Sequence, residues 1–375
     1  MKATRWVGLI LCFALALPVQ AADPKSALLM DAATGTVLYE NNAHEALAPA
    51  SVTKVMTLLL IMEAIDSGRI GWEDTVTASE AAAAKGGSQV YLKVGETMTV
   101  SDMVKSIAVS SANDCACAMA EHLAGSEAAF VDLMNKRAAE LGMNDTHFVN
   151  CTGLDDDPAA KSHRISAHDI AVMSRELLAN HPDIKNFTTI WMDTIRDGAF
   201  GLSNTNKMVR YYPGCTGLKT GFTSGAGYCL SASAQREGME LIAVVMGAES
   251  SQDRFAACKG MLDQGFANYA LYTPNIQEGA SVPVALGQAD SVAAVPEKIP
   301  QILVERAKLP DVSAEVSLSP QVDAPIVQGQ NLGTLTIRAG EEILAEVPLI
   351  AETEVPRLTW GQVTGRILRR VAMSV

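Results

Sequence analysis

Basic side chains are in short supply in this chain. Lys and Arg number 29 against 42 Asp and Glu, a formal net charge of −13 with a pI near 5.0. That balance argues against a nucleic-acid binder, whose affinity comes largely from neutralising phosphates. Past the first twenty-odd residues no apolar run is long enough for a membrane-spanning helix; Val55–Met62 comes nearest and is too short. No Cys-x-x-Cys occurs, and Cys115 and Cys117, two apart, would not face each other on a helix. His-Glu-x-x-His is missing too, which removes the commonest zinc-peptidase signature. No internal repeat or low-complexity stretch is present.

What is there begins with an export signal. Lys2 and Arg5 precede an apolar stretch from Trp6 to Leu17, and Val19-Gln20-Ala21 supplies the small residues of a cleavage site. Its removal would take the net charge from −13 to −15. The remaining cysteines, Cys115, Cys117, Cys151, Cys215, Cys229 and Cys258, read as small buried residues. The length of 375 residues and an apolar fraction of 48% suit two or three structural units, each with a core.

Four segments follow from patterning. Residues 1–22 are the signal. Over 23–272 strand and helix patterns alternate. Ala27–Met30 and Thr36–Tyr39 predict two strands about a turn at Asp31–Gly35. Val52–Ala64, Met103–Leu123 and Phe255–Tyr272 predict helices, and Ser166-Ala167-His168-Asp169 is a capping box that opens another. Tyr228–Ala234 and Leu241–Met246 predict strands about Arg236–Gly238. The combination is α+β, helices on a mainly antiparallel sheet. Residues 273–355 carry short Val, Ile and Leu runs that alternate about turns, as at Ala339-Gly340, and predict a small all-β domain. In 356–375 a helix would put Trp360, Val363, Ile367, Leu368, Val371 and Val375 on one face and Arg366, Arg369 and Arg370 on the other. That is the pattern of a helix lying on a membrane surface.

Three short motifs carry chemistry. Ser51-Val52-Thr53-Lys54 puts a hydroxyl and an amine on one helix face at i, i+3 spacing. A serine needs a base to become a nucleophile, and a lysine serves once burial lowers its pKa. Val52, Val55 and Met56 around Lys54 argue for that burial. Alone, Ser111-Ala112-Asn113 reads as a turn or a helix cap. Lys219-Thr220-Gly221 would place a cation and a hydroxyl on a strand, with a glycine that lets a substrate backbone approach.

In this order, Ser-x-x-Lys, Ser-x-Asn and Lys-Thr-Gly are the triplet of penicillin-binding proteins and class A β-lactamases. The chain resembles the low-molecular-mass penicillin-binding proteins of the D-alanyl-D-alanine carboxypeptidase family, serine peptidase family S11. The resemblance extends to the signal, the trailing β-domain, the amphipathic tail and Gly225-Ala226-Gly227-Tyr228 after the third motif. It implies a penicillin-binding transpeptidase-like, β-lactamase-like catalytic domain. It implies Ser51 as the acylated nucleophile and Lys54 as general base, with Ser111 relaying a proton and Asn113 positioning the peptide. Lys219, Thr220 and Gly221 would receive the substrate, with Arg254, in Gln252-Asp253-Arg254-Phe255, assisting at its carboxylate. Backbone N–H groups of Ser51 and Phe222 would form the oxyanion hole. The partners implied are peptidoglycan stem peptides, β-lactams and, through the tail, the outer face of the cytoplasmic membrane.

Three rivals are weaker. A zinc peptidase could use His163 and Asp169, but the capping box already explains His168 and Asp169. Asp155-Asp156-Asp157 lacks the alternation of a calcium loop. Neither metal nor cofactor is expected. A β-lactamase needs a base for its deacylating water, and no clear Glu lies between Ser111 and Lys219. A non-catalytic penicillin sensor or scaffold would keep all three motifs and is separated only by assay.

Overall fold

A computed structural model describes residues 23–274 and 280–372, with side chains through Arg366. The signal segment 1–22, and the tail's face from Ile367 on, lie outside the described residues. The first unit is built on a five-stranded antiparallel sheet. Its strands are β1 (Ser26–Asp31), β2 (Val37–Asn41), β3 (Cys215–Thr223), β4 (Gly227–Arg236) and β5 (Met239–Ala248), in the order β2-β1-β5-β4-β3. Side chains alternate between the two faces of a strand, and here both faces are covered. Leu28 and Met30 of β1, with Ile242, Val244 and Met246 of β5, enter one core. Ala27, Leu29, Leu241, Ala243 and Val245 enter another. That is why these central strands read as continuous apolar runs.

The larger core is filled mainly by five of the longer helices: α1 (Lys54–Asp66), α2 (Val100–Ser110), α3 (Asn113–Ala124), α4 (Glu127–Glu140) and α5 (Ala167–Asn180). Against the other face lies α6 (Ser251–Asn268). Polar N-caps set four of these starts: the hydroxyls of Thr99, Ser126, Ser166 and Ser250 accept from backbone N–H three residues on.

Two helix expectations are corrected. Met103–Leu123 is not one helix: it breaks at Ser111, which takes a left-handed conformation at φ 63°. The N–H of Asn113 there donates to Ser88 O at 2.7 Å, a tertiary bond that local propensity does not report. The closing helix starts earlier, under the Ser250 cap, and stops at Asn268. Tyr269–Tyr272 is a strand instead, paired antiparallel with Ile302–Glu305, and its two tyrosines suit that role.

Beyond it, six strands between Ser281 and Ala351 form a second sheet over a separate core of Val282, Val292, Ile326, Leu335, Ile337 and Leu349. The tail helix, α7 (Trp360–Ala372), begins later than position 356. Pro356 and Leu358 remain tied to the sheet domain through Gln288 and Leu286 at 2.8 Å each. Arg366 reaches Asp290 at 2.9 Å, while Trp360 is 90% exposed. Among the described residues no helix is long and apolar enough to cross a membrane.

Candidate active site

Ser51 lies in a 3-10 turn, Ala50–Thr53, that leads directly into α1. The Thr53 hydroxyl closes the turn on Ala50 O at 2.8 Å and also meets His163 Nε2 at 2.9 Å. One turn on, the Thr57 hydroxyl donates to Cys151 O at 2.7 Å. The polar side of α1 thus grips residues 151–153, and Lys54 is shut in between. Its Nζ meets Ser51 Oγ at 2.9 Å and Thr152 O at 2.8 Å. Burial pulls the Lys54 amine down from 10.5 to about 7, against the raising influence of Cys151 and Asp114. With Nζ neutral, the Ser51 contact can run the other way, the hydroxyl donating to the amine lone pair.

The helix break delivers the second motif. Ser111, Asn113 and Asp114 are all buried. Asn113 Nδ2 donates to Gly86 O at 2.7 Å, while its Oδ1 is buried with no partner among the described residues. Asp114 accepts from the N–H groups of Val90 and Leu92. The start of α3 therefore pins residues 86–92.

The third motif lies on β3, the edge strand of the sheet. Alternate N–H groups of an edge strand face away from its neighbour. Lys219 is buried, with Nζ on Thr220 O at 2.9 Å, and its pKa lies well below the ordinary value. Desolvation is the main cause, followed by the charges of Lys54 and Arg254. The Thr220 hydroxyl meets Thr205 Oγ1 at 2.7 Å. Phe222 is 53% exposed, its ring 4.3 Å from that of Tyr228.

Two residues expected at the substrate site also make contacts within the fold. Gly221 makes room for the protein's own backbone: a Cβ there would lie 2.7 Å from Pro49 O and 3.1 Å from Ser51 N. The glycine lets β3 press against the turn that carries Ser51. Arg254 directs Nη1 to Gly221 O at 2.9 Å and Cys229 O at 3.2 Å, so it braces β3 against β4 from within the fold. Its Nε is buried without a partner among the described residues.

Residues weighed for metals are engaged otherwise. His163 uses both ring nitrogens, on Thr53 and on the Val149 N–H, and burial lowers its pKa to about 4. Asp169 accepts from the Asp145 N–H and the Thr146 hydroxyl at 2.8 Å each. Asp157 caps the short helix that follows it. Glu63, Glu176 and His181 lie close together, but Arg137 bridges the two acids at 2.7 and 2.6 Å. The six cysteines among the described residues are free thiols, and all but half-buried Cys215 are buried.

Sequence reasoning missed Thr152 and Gly153, which act through a backbone carbonyl and a missing Cβ, and Thr205, in the polar run Asn204-Thr205-Asn206. Only the last has a side-chain signal.

Comparison with known proteins decides the family. Residues 15–250 match the D-alanyl-D-alanine carboxypeptidase family (peptidase S11), and residues 266–357 match the penicillin-binding protein 5 C-terminal domain. This chain belongs to the S11 D-alanyl-D-alanine carboxypeptidases. Among similar proteins, the D-alanyl-D-alanine carboxypeptidase DacF of Bacillus subtilis is 44% identical over 344 residues, covering 90% of this chain and 87% of that one. DacA of Escherichia coli is 33% identical, covering 93% and 87%. Penicillin-binding protein 5 of Haemophilus influenzae superposes with TM-score 0.76 at 29% identity, over 91% of this chain and 99% of that structure. Penicillin-binding protein D2 of Listeria monocytogenes, solved in its ampicillin-bound form, superposes with TM-score 0.59 at 32% identity, over 65% and 97%. The penicillin-binding fold expected from the three motifs is the fold observed.

Proposed function

We propose that the chain removes the terminal D-alanine of cell-wall stem peptides through an acyl-enzyme on Ser51. Lys54 takes the proton of the Ser51 hydroxyl as Oγ attacks the carbonyl between the last two D-alanines. The oxyanion forms against the N–H groups of Ser51 and Phe222. As the C–N bond breaks, the proton passes by way of the Ser111 hydroxyl to the leaving amine, and D-alanine departs. Water then attacks the ester, giving the shortened peptide and restoring Ser51. Asn113 holds the peptide amide. Lys219 and Thr220 receive the terminal carboxylate, and Arg254 adds positive charge from beneath the strand. The observation that supports this most is a buried amine near pKa 7 lying 2.9 Å from a serine oxygen.

The test is D-alanine release from a diacetyl-lysyl-D-Ala-D-Ala peptide, together with mass spectrometry of the β-lactam adduct. Turnover with the adduct on Ser51 is expected. An adduct on Ser111 would overturn the nucleophile, and acylation without turnover would make the chain a penicillin sensor. Fast β-lactam hydrolysis without peptide turnover would make it a lactamase.

Export by the leading segment would put the site on the wall side of the membrane, and the tail would hold it there. Each basic residue near an anionic leaflet contributes about 1 kcal/mol, and the apolar face adds burial. A clean truncation falls after Thr359, because Pro356 and Leu358 are bonded to the sheet domain. That variant is expected to keep peptide turnover and to stop co-sedimenting with anionic vesicles. Undiminished vesicle binding, or lost activity on a soluble peptide, would count against the anchor.

A further inference from the structure

Asn204-Thr205-Asn206 belongs to none of the three motifs, yet it joins two of them. The Thr205 N–H donates to Val109 O at 3.1 Å, in the last turn of α2 before Ser111. On the other side its hydroxyl meets Thr220 at 2.7 Å. The flanking asparagines are buried and fix the loop. Asn204 Nδ2 donates to Thr188 O at 3.2 Å and Ile190 O at 2.7 Å, and its Oδ1 accepts the Asn206 N–H at 2.8 Å. Asn206 Nδ2 donates to Gly217 O on β3 at 2.9 Å. Buried amides are costly unless satisfied, and these are satisfied in one geometry. Thr205 is thereby held at one position against the third motif.

A threonine hydroxyl has one proton and two lone pairs. If Thr220 is to donate that proton to an anion, its remaining partner must be a donor. A backbone carbonyl beside Thr220 would instead take the proton and turn the lone pairs toward the carboxylate. A second hydroxyl can do either. Here Thr220 Oγ1 donates to Thr205 Oγ1. When a carboxylate arrives, the pair can reverse by rotation about two C–O bonds, Thr205 donating to Thr220 and Thr220 to the anion.

We propose that Thr205 is a positioning residue, whose hydroxyl orients that of Thr220 toward the terminal carboxylate of the substrate. This rests on the reading of Thr220 as a carboxylate partner, and the test separates the two. Thr205→Val, Thr205→Ser, Thr220→Val and the double Val variant are assayed on a D-Ala-D-Ala peptide and on its C-terminal amide. The readout is the acid-to-amide ratio of kcat/KM. Each single Val variant is expected to lower kcat/KM for the acid by roughly 10- to 150-fold, the weight of one hydrogen bond to a charged group. The amide should change little. The double variant should be no worse than Thr220→Val, because the hydroxyls act as a unit. Thr205→Ser should restore the ratio. If Thr220→Val shifts the ratio and Thr205→Val does not, the inference fails while the Thr220 reading stands. If Thr205→Val slows acid and amide equally, its role is structural and the inference fails. If Thr220→Val leaves the ratio unchanged, the carboxylate reading itself falls.

Discussion

Lys54→Arg is expected to slow acylation of Ser51 by roughly 10²- to 10⁴-fold, the span typical of a lost general base. The substitution keeps a cation at the site but removes the group that can be neutral, since a guanidinium is not deprotonated in a protein. The wild-type lysine has what the role requires. Burial lowers it to about 7, and its Nζ touches both the serine oxygen and Thr152 O. The sign of the pH dependence follows. The amine is the active form, so the acylation rate should fall about tenfold per pH unit below about pH 7 and level off above it. Lys219 is also held below its ordinary value, by burial and by the charges of Lys54 and Arg254. A bound carboxylate would reverse that for Lys219, drawing a proton to it and leaving Lys54 as the neutral amine. Stopped-flow acylation with a chromogenic β-lactam, from pH 5 to 9, checks both points. A Lys54→Arg variant that acylates at near wild-type rate, or a wild-type rate flat across pH 7, would place the base elsewhere.

The parts of this fold legible in the sequence are those that local pattern determines. Leu28–Met30 and Leu241–Met246 read as strands because both faces of a central strand are buried, and Ser166 announces α5 because a cap is a local bond. The three motifs were legible as side chains, and the pairing of Ser51 with Lys54 follows from helix spacing alone. What was not legible depends on a partner distant in the chain. Ser111-Ala112-Asn113 reads alone as a turn or a cap, but the helical pattern from Met103 to Leu123 runs through it; the bond from Asn113 N–H to Ser88 O fixes the break. Gly221 reads as room for a substrate, and its close approach to Pro49 and Ser51 shows only in the fold. The second contact of Lys54 is a backbone carbonyl, which any residue at 152 would supply, so no side chain advertises it. Thr205 stands in a polar run that reads as an ordinary loop until Thr220 is found beside it.

Gly153 shows how tightly that unadvertised contact is held, and Gly153→Ala is expected to damage stability and acylation together. A Cβ at Gly153 would lie 1.8 Å from Ala50 O, 2.4 Å from Ala50 C and 2.7 Å from Thr53 Oγ1, with φ at +81°. The first two atoms are backbone and cannot rotate away. Either residues 150–154 or the Ala50–Thr53 turn must shift. In the first case Thr152 O leaves Lys54, and in the second Ser51 moves against β3. A left-handed non-glycine residue costs roughly 1–2 kcal/mol, and overpacking adds about 1–3 kcal/mol. The loss of unfolding free energy should therefore be about 2–5 kcal/mol. Gly68→Ala is the matched control: its φ is +71°, but nothing lies within 4 Å of the added carbon. It should lose only the backbone part and acylate normally. Denaturant unfolding and β-lactam acylation of both variants decide the matter. If Gly153→Ala proves as mild as Gly68→Ala in both measurements, the turn bearing Ser51 does not depend on close packing at Gly153. If stability falls while acylation stays normal, the strain is absorbed away from Ser51 and Lys54, and close packing at Gly153 does not hold the catalytic pair in place.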